Sequence, residues 1–160
     1  MTDAVGAGAT RGNGPLRPFR PRAARLVCLP LAVSSFVFLA AIAVRLPQIT
    51  GGTGGLGDRV GFLLVGAGIA WFLLREAGVR AEPDETGLTV RNLMRRHRLD
   101  WPQIVSVRFG PDRPWVQLDL ADGTTLAVMA VQRADGARAR AEARRLATLV
   151  AHFTSTGRDD

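Results

Sequence analysis

The chain opens with two long apolar segments and then changes to short alternating patterns. Residues 26–44 are all uncharged and mostly apolar, and a second apolar segment covers residues 60–74 after a glycine-rich loop at 45–59. As a helix, the first segment is about 28 Å long, close to the roughly 30 Å hydrocarbon core of a bilayer. The pattern predicts two membrane-spanning helices joined by a short loop.

A cleaved signal peptide is the alternative interpretation of the first segment, because arginines precede it at 17–25. Its apolar part is longer than the usual run of about 7–15 residues, and the second segment needs a partner helix if the chain is to return. Two spanning helices are therefore the better interpretation. Arginines before the first segment and after the second, at Arg75 and Arg80, place both termini in the cytoplasm by the positive-inside rule.

Period-two alternation of apolar and polar residues dominates from residue 79 onward and predicts short strands. The clearest strands cover residues 88–91, 95–99, 104–109, 115–120 and 125–131. Asp122-Gly123 is a strong two-residue hairpin turn. A helix follows, with Asp135 as its predicted N-cap and an apolar stripe through Ala139, Ala143, Leu146, Val150 and Phe153.

Strands followed by one helix predict an α+β fold in which the helix covers a bent sheet, since no other element can bury its stripe. The fold class is thus two transmembrane helices followed by a small β-domain capped by a C-terminal α-helix. We expect residues 79–153 to fold alone. The predicted core comprises Val105, Val107, Val116, Leu118, Leu120, Leu146 and Val150.

Composition divides the chain into four parts and disfavours catalysis. Residues 1–25 are predicted to be a disordered basic tail, 26–74 the helical hairpin, 75–155 the folded domain and 156–160 a second disordered tail. The net charge is +7, yet the arginines are scattered and the chain has no tyrosine, which argues against nucleic acid as a partner. The single cysteine and two histidines offer no metal, cofactor or acid–base site, so we expect no enzyme.

One basic cluster stands out at a predicted hairpin turn that also contains Leu93 and Met94. Its members are Arg91, Arg95, Arg96 and Arg98. Four guanidinium groups at one turn can bind lipid phosphates or an acidic partner. The alternative is a solvated hairpin whose arginines point outward simply because strands alternate.

The order of several motifs resembles the bacterial pleckstrin-homology (PH) domain family, in particular its actinobacterial membrane-anchored type related to mycobacterial low-molecular-weight antigens. The resemblance rests on Gly87 to Asn92, Trp101 with Ile104, Pro114-Trp115, Asp122-Gly123 and Asp135-Gly136. It implies a PH-like split β-barrel closed by the C-terminal helix, without enzymatic activity. No ligand-binding residues come with it.

The resemblance and the apolar segments together predict a membrane-anchored, non-enzymatic interaction module with a protein partner of unknown identity. Two alternatives stay open: a small accessory subunit of a larger membrane complex, and an anionic-lipid binding domain. Asp84 and Glu85 occupy the first hairpin turn, where a phosphoinositide pocket would need basic residues. Weak contact with anionic lipid is therefore the most that we expect.

Overall fold

The computed structural model describes residues 14–52 and 55–156, and within them two apolar helices precede a small α+β domain. Its six strands form two antiparallel sheets, the first three strands along the chain in one and the last three in the other, each in sequence order. This arrangement confirms the predicted α+β fold class. The elements are α1 (Arg22–Ile49), α2 (Leu56–Ala77), β1 (Arg80–Pro83), β2 (Gly87–Arg91), β3 (Arg96–Asp100), β4 (Ile104–Arg108), β5 (Trp115–Leu120), β6 (Thr125–Gln132) and α3 (Ala137–Thr156), with 3₁₀ turns at Trp101–Gln103 and Arg133–Asp135.

The core of the domain lies between the two sheets and α3. Trp101 and Leu146 are fully buried there, and the Trp101 ring stacks on Phe153 with centroids 5.1 Å apart. The indole Nε1 of Trp101 donates a hydrogen bond to the Asp84 carbonyl at 3.0 Å, so its polar atom is also satisfied. The C-terminal helix therefore closes the domain as the apolar stripe predicted.

Most of the predicted core is confirmed, but Val105 is wrong. Val116, Leu118, Leu146 and Val150 are buried, while Val107 and Leu120 pack partly buried against them. Val105 is 66% exposed because a bulge between Ile104 and Ser106 interrupts the alternation of β4. An extra residue in one strand turns the following side chains to the opposite face.

The two apolar helices pack against each other as a hairpin and are each long and apolar enough to cross a membrane. Both extend beyond the predicted segments. Gly66 allows the close approach, because a Cβ there would lie 3.3 Å from Cβ of Leu39. Most of their large apolar side chains remain exposed, among them Leu26, Val33, Phe38, Leu64 and Val65.

Residues 14–25 differ from the expectation of a disordered tail, while residues 1–13 and 157–160 lie outside the described part of the chain. Phe19 pairs with Ala81 of β1 through two backbone hydrogen bonds of 2.8 and 3.1 Å. Its ring is 1% exposed and belongs to the core of the domain. A short segment before the first helix therefore extends the first sheet, which composition alone did not reveal.

A buried carboxylate on α3 holds this N-terminal segment in place. Glu142 is 7% exposed and accepts hydrogen bonds at 2.9 Å from both Arg17 and Arg145. The Arg145 guanidinium lies 3.7 Å from the centroid of the Phe19 ring and also donates to the carbonyls of Pro15 and Arg17. A buried carboxylate is stable only when paired in this way.

Asp135 does not cap α3 as predicted. Its carboxylate accepts the backbone N–H groups of Arg22 and Ala23 at 3.1 and 2.7 Å and so caps the start of α1. Nε of Arg25 in turn donates to the Ala77 carbonyl at the end of α2 at 3.0 Å. The start of α1 is therefore bonded both to the turn before α3 and to the end of α2.

We expect Phe19→Ala to lower the free energy of unfolding by about 3–5 kcal/mol, because it removes a buried ring from a packed core. Chemical denaturation of the chain in mild detergent measures the change. Arg20→Ala, at the neighbouring exposed position, is the control and should change the free energy by less than about 0.5 kcal/mol. Equal effects of the two substitutions would contradict the burial of Phe19.

Candidate interaction site at the base of the helical hairpin

The turn between β2 and β3 lies beside the end of α2. Arg75, in the last turn of α2, donates from Nε and Nη2 to the Leu93 carbonyl at 3.0 and 2.8 Å. The same guanidinium lies 5.4 Å from the centroid of the Trp71 ring, a cation–π contact. The turn is therefore attached directly to the helical hairpin.

Asn92 attaches the other side of this turn to the second sheet. Its Nδ2 donates to the Ala127 carbonyl at 2.7 Å, and its Oδ1 accepts the backbone N–H of Met129 at 3.2 Å. The side-chain amide thus pairs with β6 as a peptide group would. Sequence reasoning assigned Asn92 to a turn only, and nothing in the pattern indicates a partner in a strand so distant along the chain.

Three of the four arginines of the predicted cluster come together at this turn, which we call the basic hairpin (residues 91–96). Arg91 lies directly opposite Arg96 in the sheet, and Arg95 precedes it in the turn. All three are exposed, and within the described residues none has an acidic partner. Like charges directly opposite each other lower stability, so an anion at this turn would offset the repulsion.

Arg98 belongs to a different site. Its guanidinium forms a bidentate ion pair with Asp84 and donates to Thr86 at 2.5 Å and to Thr89 at 3.1 Å. These contacts, led by the hydrogen bond from Arg98, hold the pKa of Asp84 well below its usual range. Asp84 also accepts the N–H groups of Thr86 and Gly87, so this pair closes the β1–β2 turn at the opposite end of the sheet.

A small cavity of about 200 Å³ lies between the basic hairpin and α2. Trp71 and Leu74 line its helix side, and Arg91 and Leu93 line its hairpin side. Met94 is 69% exposed at the tip of the turn. Apolar groups beside unpaired guanidinium groups can contact an anionic amphiphile or an acidic surface. In the part of the chain that the structure describes, no three acidic, histidine or cysteine side chains converge on one point.

Comparison with known proteins agrees with this architecture. The family model described as "Bacterial PH domain" matches residues 78–148. Uncharacterized proteins of Mycobacterium bovis and of two strains of Mycobacterium tuberculosis are each 30% identical over 128 residues, which is 74% of this chain and 83% of theirs. No solved structure matches significantly. The resemblance found in the sequence is thus confirmed, and the chain belongs to the bacterial PH-domain family that includes these mycobacterial proteins.

Proposed function

We propose that the chain is a membrane-anchored, non-enzymatic interaction module whose PH-like domain is held against the cytoplasmic face of the membrane and engages a protein partner. One observation carries the proposal: side chains at two points tie the domain to the base of the helical hairpin. Asp135 caps α1, and Arg75 at the end of α2 donates to the Leu93 carbonyl. Between the two helices, Arg25 of α1 donates to the Ala77 carbonyl of α2. A domain attached in this way moves with its anchor.

The exposed apolar surface of the two helices supports membrane insertion. A soluble domain rarely leaves so many large apolar side chains in contact with water, because their burial drives folding. The segment before α1 and the domain after α2 meet through Phe19 and Ala81, so they lie on the same side of the hairpin. The arginines around both segments favour the cytoplasmic side.

A protein partner is favoured over a lipid ligand by the anchor itself. Two spanning helices provide effectively permanent attachment, so lipid affinity in the domain is not needed for targeting. The acidic β1–β2 turn adds to this argument, since Arg98 is already paired there. An accessory subunit of a larger membrane complex is the alternative, and it would co-purify with a stoichiometric membrane partner in mild detergent.

Contact with anionic headgroups is a second role, favoured by the opposed pair Arg91 and Arg96 beside the end of α2. In a membrane-inserted chain this turn lies near the lipid headgroups. Each basic residue at such a surface contributes about 1 kcal/mol, so the contact is weak and orients the domain.

The topology can be tested by cysteine labelling of intact cells. In a chain with Cys28→Ala, a cysteine at Gly55, in the loop between the helices, should react with an impermeant reagent, because it faces the outside. A cysteine at Ser155, on the exposed end of α3, should react only after the cells are opened. The reverse pattern would contradict a cytoplasmic domain, and equal labelling of both sites would contradict membrane insertion.

The headgroup contact predicts that anionic lipid raises the unfolding temperature of the full chain in nanodiscs, relative to zwitterionic lipid. The gain should disappear in the double variant Arg91→Ser/Arg96→Ser and should persist in Arg144→Ser, a control on the exposed face of α3. About 0.5 M salt should also remove it, because screening then shortens the range of exposed charges to a few ångströms. A headgroup-selective gain that survives this salt would contradict a weak contact and indicate a specific lipid site.

A further inference from the structure

A continuous groove runs between β4 and α3. Three cavities of about 340, 270 and 270 Å³ follow one another along it. The first and second share Val107 and Ala147 in their walls, and the second and third share Phe109 and Arg140. The cavities therefore form one continuous surface groove rather than separate pockets.

The groove is bordered by an unpaired strand edge. β4 is the outermost strand of its sheet, and within the described residues no strand lies on its outer side. The bulge in β4 turns Val105 outward, and α3 lines this part of the groove with Ala147, Val150 and Ala151, followed by Thr154 and Ser155. Proteins usually protect the edge strand of a sheet with charged residues or proline. An unprotected edge beside an apolar groove can therefore pair with another strand.

Charge is distributed unevenly along the groove. Arg140 and Arg144 line the end near Phe109, are exposed, and have no acidic partner within the described residues. No Asp or Glu lines any of the three cavities. The other arginines in the middle of α3, Arg138 and Arg145, are paired with Glu142. One end of the groove is thus cationic and the other, around Val105 and Ala151, is uncharged.

We propose that this groove binds an extended acidic segment of a partner protein, which adds to the sheet as a strand antiparallel to β4. Its carboxylates pair with Arg140 and Arg144, and its small apolar side chains cover Val105 and Ala147. The proposal rests on the proposed function, for which it names the docking surface and the chemistry of the partner. Strand addition supplies affinity through backbone hydrogen bonds, and the side-chain contacts supply selectivity.

The dimensions and direction of the groove define the segment further. From Arg140 to Thr154, α3 rises about 21 Å, which equals about six residues of a β-strand. β4 runs from Ile104 at the uncharged end toward Phe109 at the cationic end. An antiparallel segment therefore begins with its acidic half and ends with its apolar half.

The test uses the full chain in nanodiscs of zwitterionic lipid and a fluorescent peptide of about eight residues. The peptide has Asp and Glu in its first half and Val and Thr in its second, and a peptide of reversed order serves as comparison. Fluorescence anisotropy measures the affinity. We expect the acidic-first peptide to bind more tightly than the reversed peptide, and hydrogen exchange to show new protection of β4 amides.

Variants locate the site. Arg140→Ser/Arg144→Ser should weaken binding about tenfold, as the loss of two partly exposed charge pairs predicts. Ala147→Trp should abolish binding by filling the groove, since position 147 is exposed and the core is untouched. The matched controls are Arg20→Ser/Arg22→Ser, exposed positions outside the groove, and Ala141→Trp at another exposed position of α3, and both should bind as the original chain does.

Three results would overturn the proposal: no binding of either peptide, binding that depends on Arg95 and Arg96 instead, or equal affinity for both peptide orders. A chain that dimerises and becomes monomeric with Ala147→Trp would also overturn it, because the groove would then hold a second copy. If the peptide does not bind the groove, the cysteine-labelling pattern stays unchanged. If the proposed function is wrong, that labelling pattern is reversed or lost. The two outcomes are therefore distinguishable.

Discussion

The carboxylate of Asp135 at the start of α1 is the contact on which the arrangement of the molecule depends. The first N–H groups of a helix have no partner within the helix, and the residue that precedes α1, Pro21, supplies no side-chain cap. Asp135 supplies it from 112 positions along the chain. A negative charge at the N-terminus of a helix is further stabilised by the helix dipole. The cap therefore joins the helical hairpin to the domain at one defined place.

The position of this cap determines the path of the N-terminal segment. With α1 capped beside the domain, the segment before it passes along β1, where Phe19 pairs with Ala81 through two backbone hydrogen bonds. Phe19 then enters the core, and the buried Glu142 is satisfied by Arg17 and Arg145. Phe19, which precedes the hairpin in the sequence, thus completes the core of the domain. The hairpin is consequently an insertion into the domain rather than a separate anchor in front of it.

The sequence predicted the elements whose signals are periodic. Two apolar segments, the alternating strands and the stripe of α3 all appear where they were expected, and the family resemblance is confirmed. Phe19 and Asn92 were missed, and Asp135 was assigned to the wrong helix, because each acts through a partner distant along the chain, whereas periodicity reports only local structure. Val105 was misplaced because one inserted residue reverses the alternation of a strand without changing its composition.

The candidate site was predictable only in part for the same reason. Proximity along the chain grouped four arginines, but the register of β2 and β3 separates Arg98 from the other three and gives it to Asp84. The groove beside β4 could not be predicted, since Val105 and Val107 on its strand side were both expected in the core and its helix side contributes mainly small side chains such as Ala147 and Ala151. Open edges and unpaired charges become visible only once the strands are ordered in space.

The rigid attachment of the domain to the helical hairpin is the central claim, and pulsed electron paramagnetic resonance tests it directly. Spin labels at Ala67 on α2 and Ala141 on α3, in a chain with Cys28→Ala, report the distance between hairpin and domain in nanodiscs. We expect one narrow distance distribution that broadens with Asp135→Ala and stays narrow with Asp112→Ala. A broad distribution in the original chain would show a freely moving domain and contradict the account.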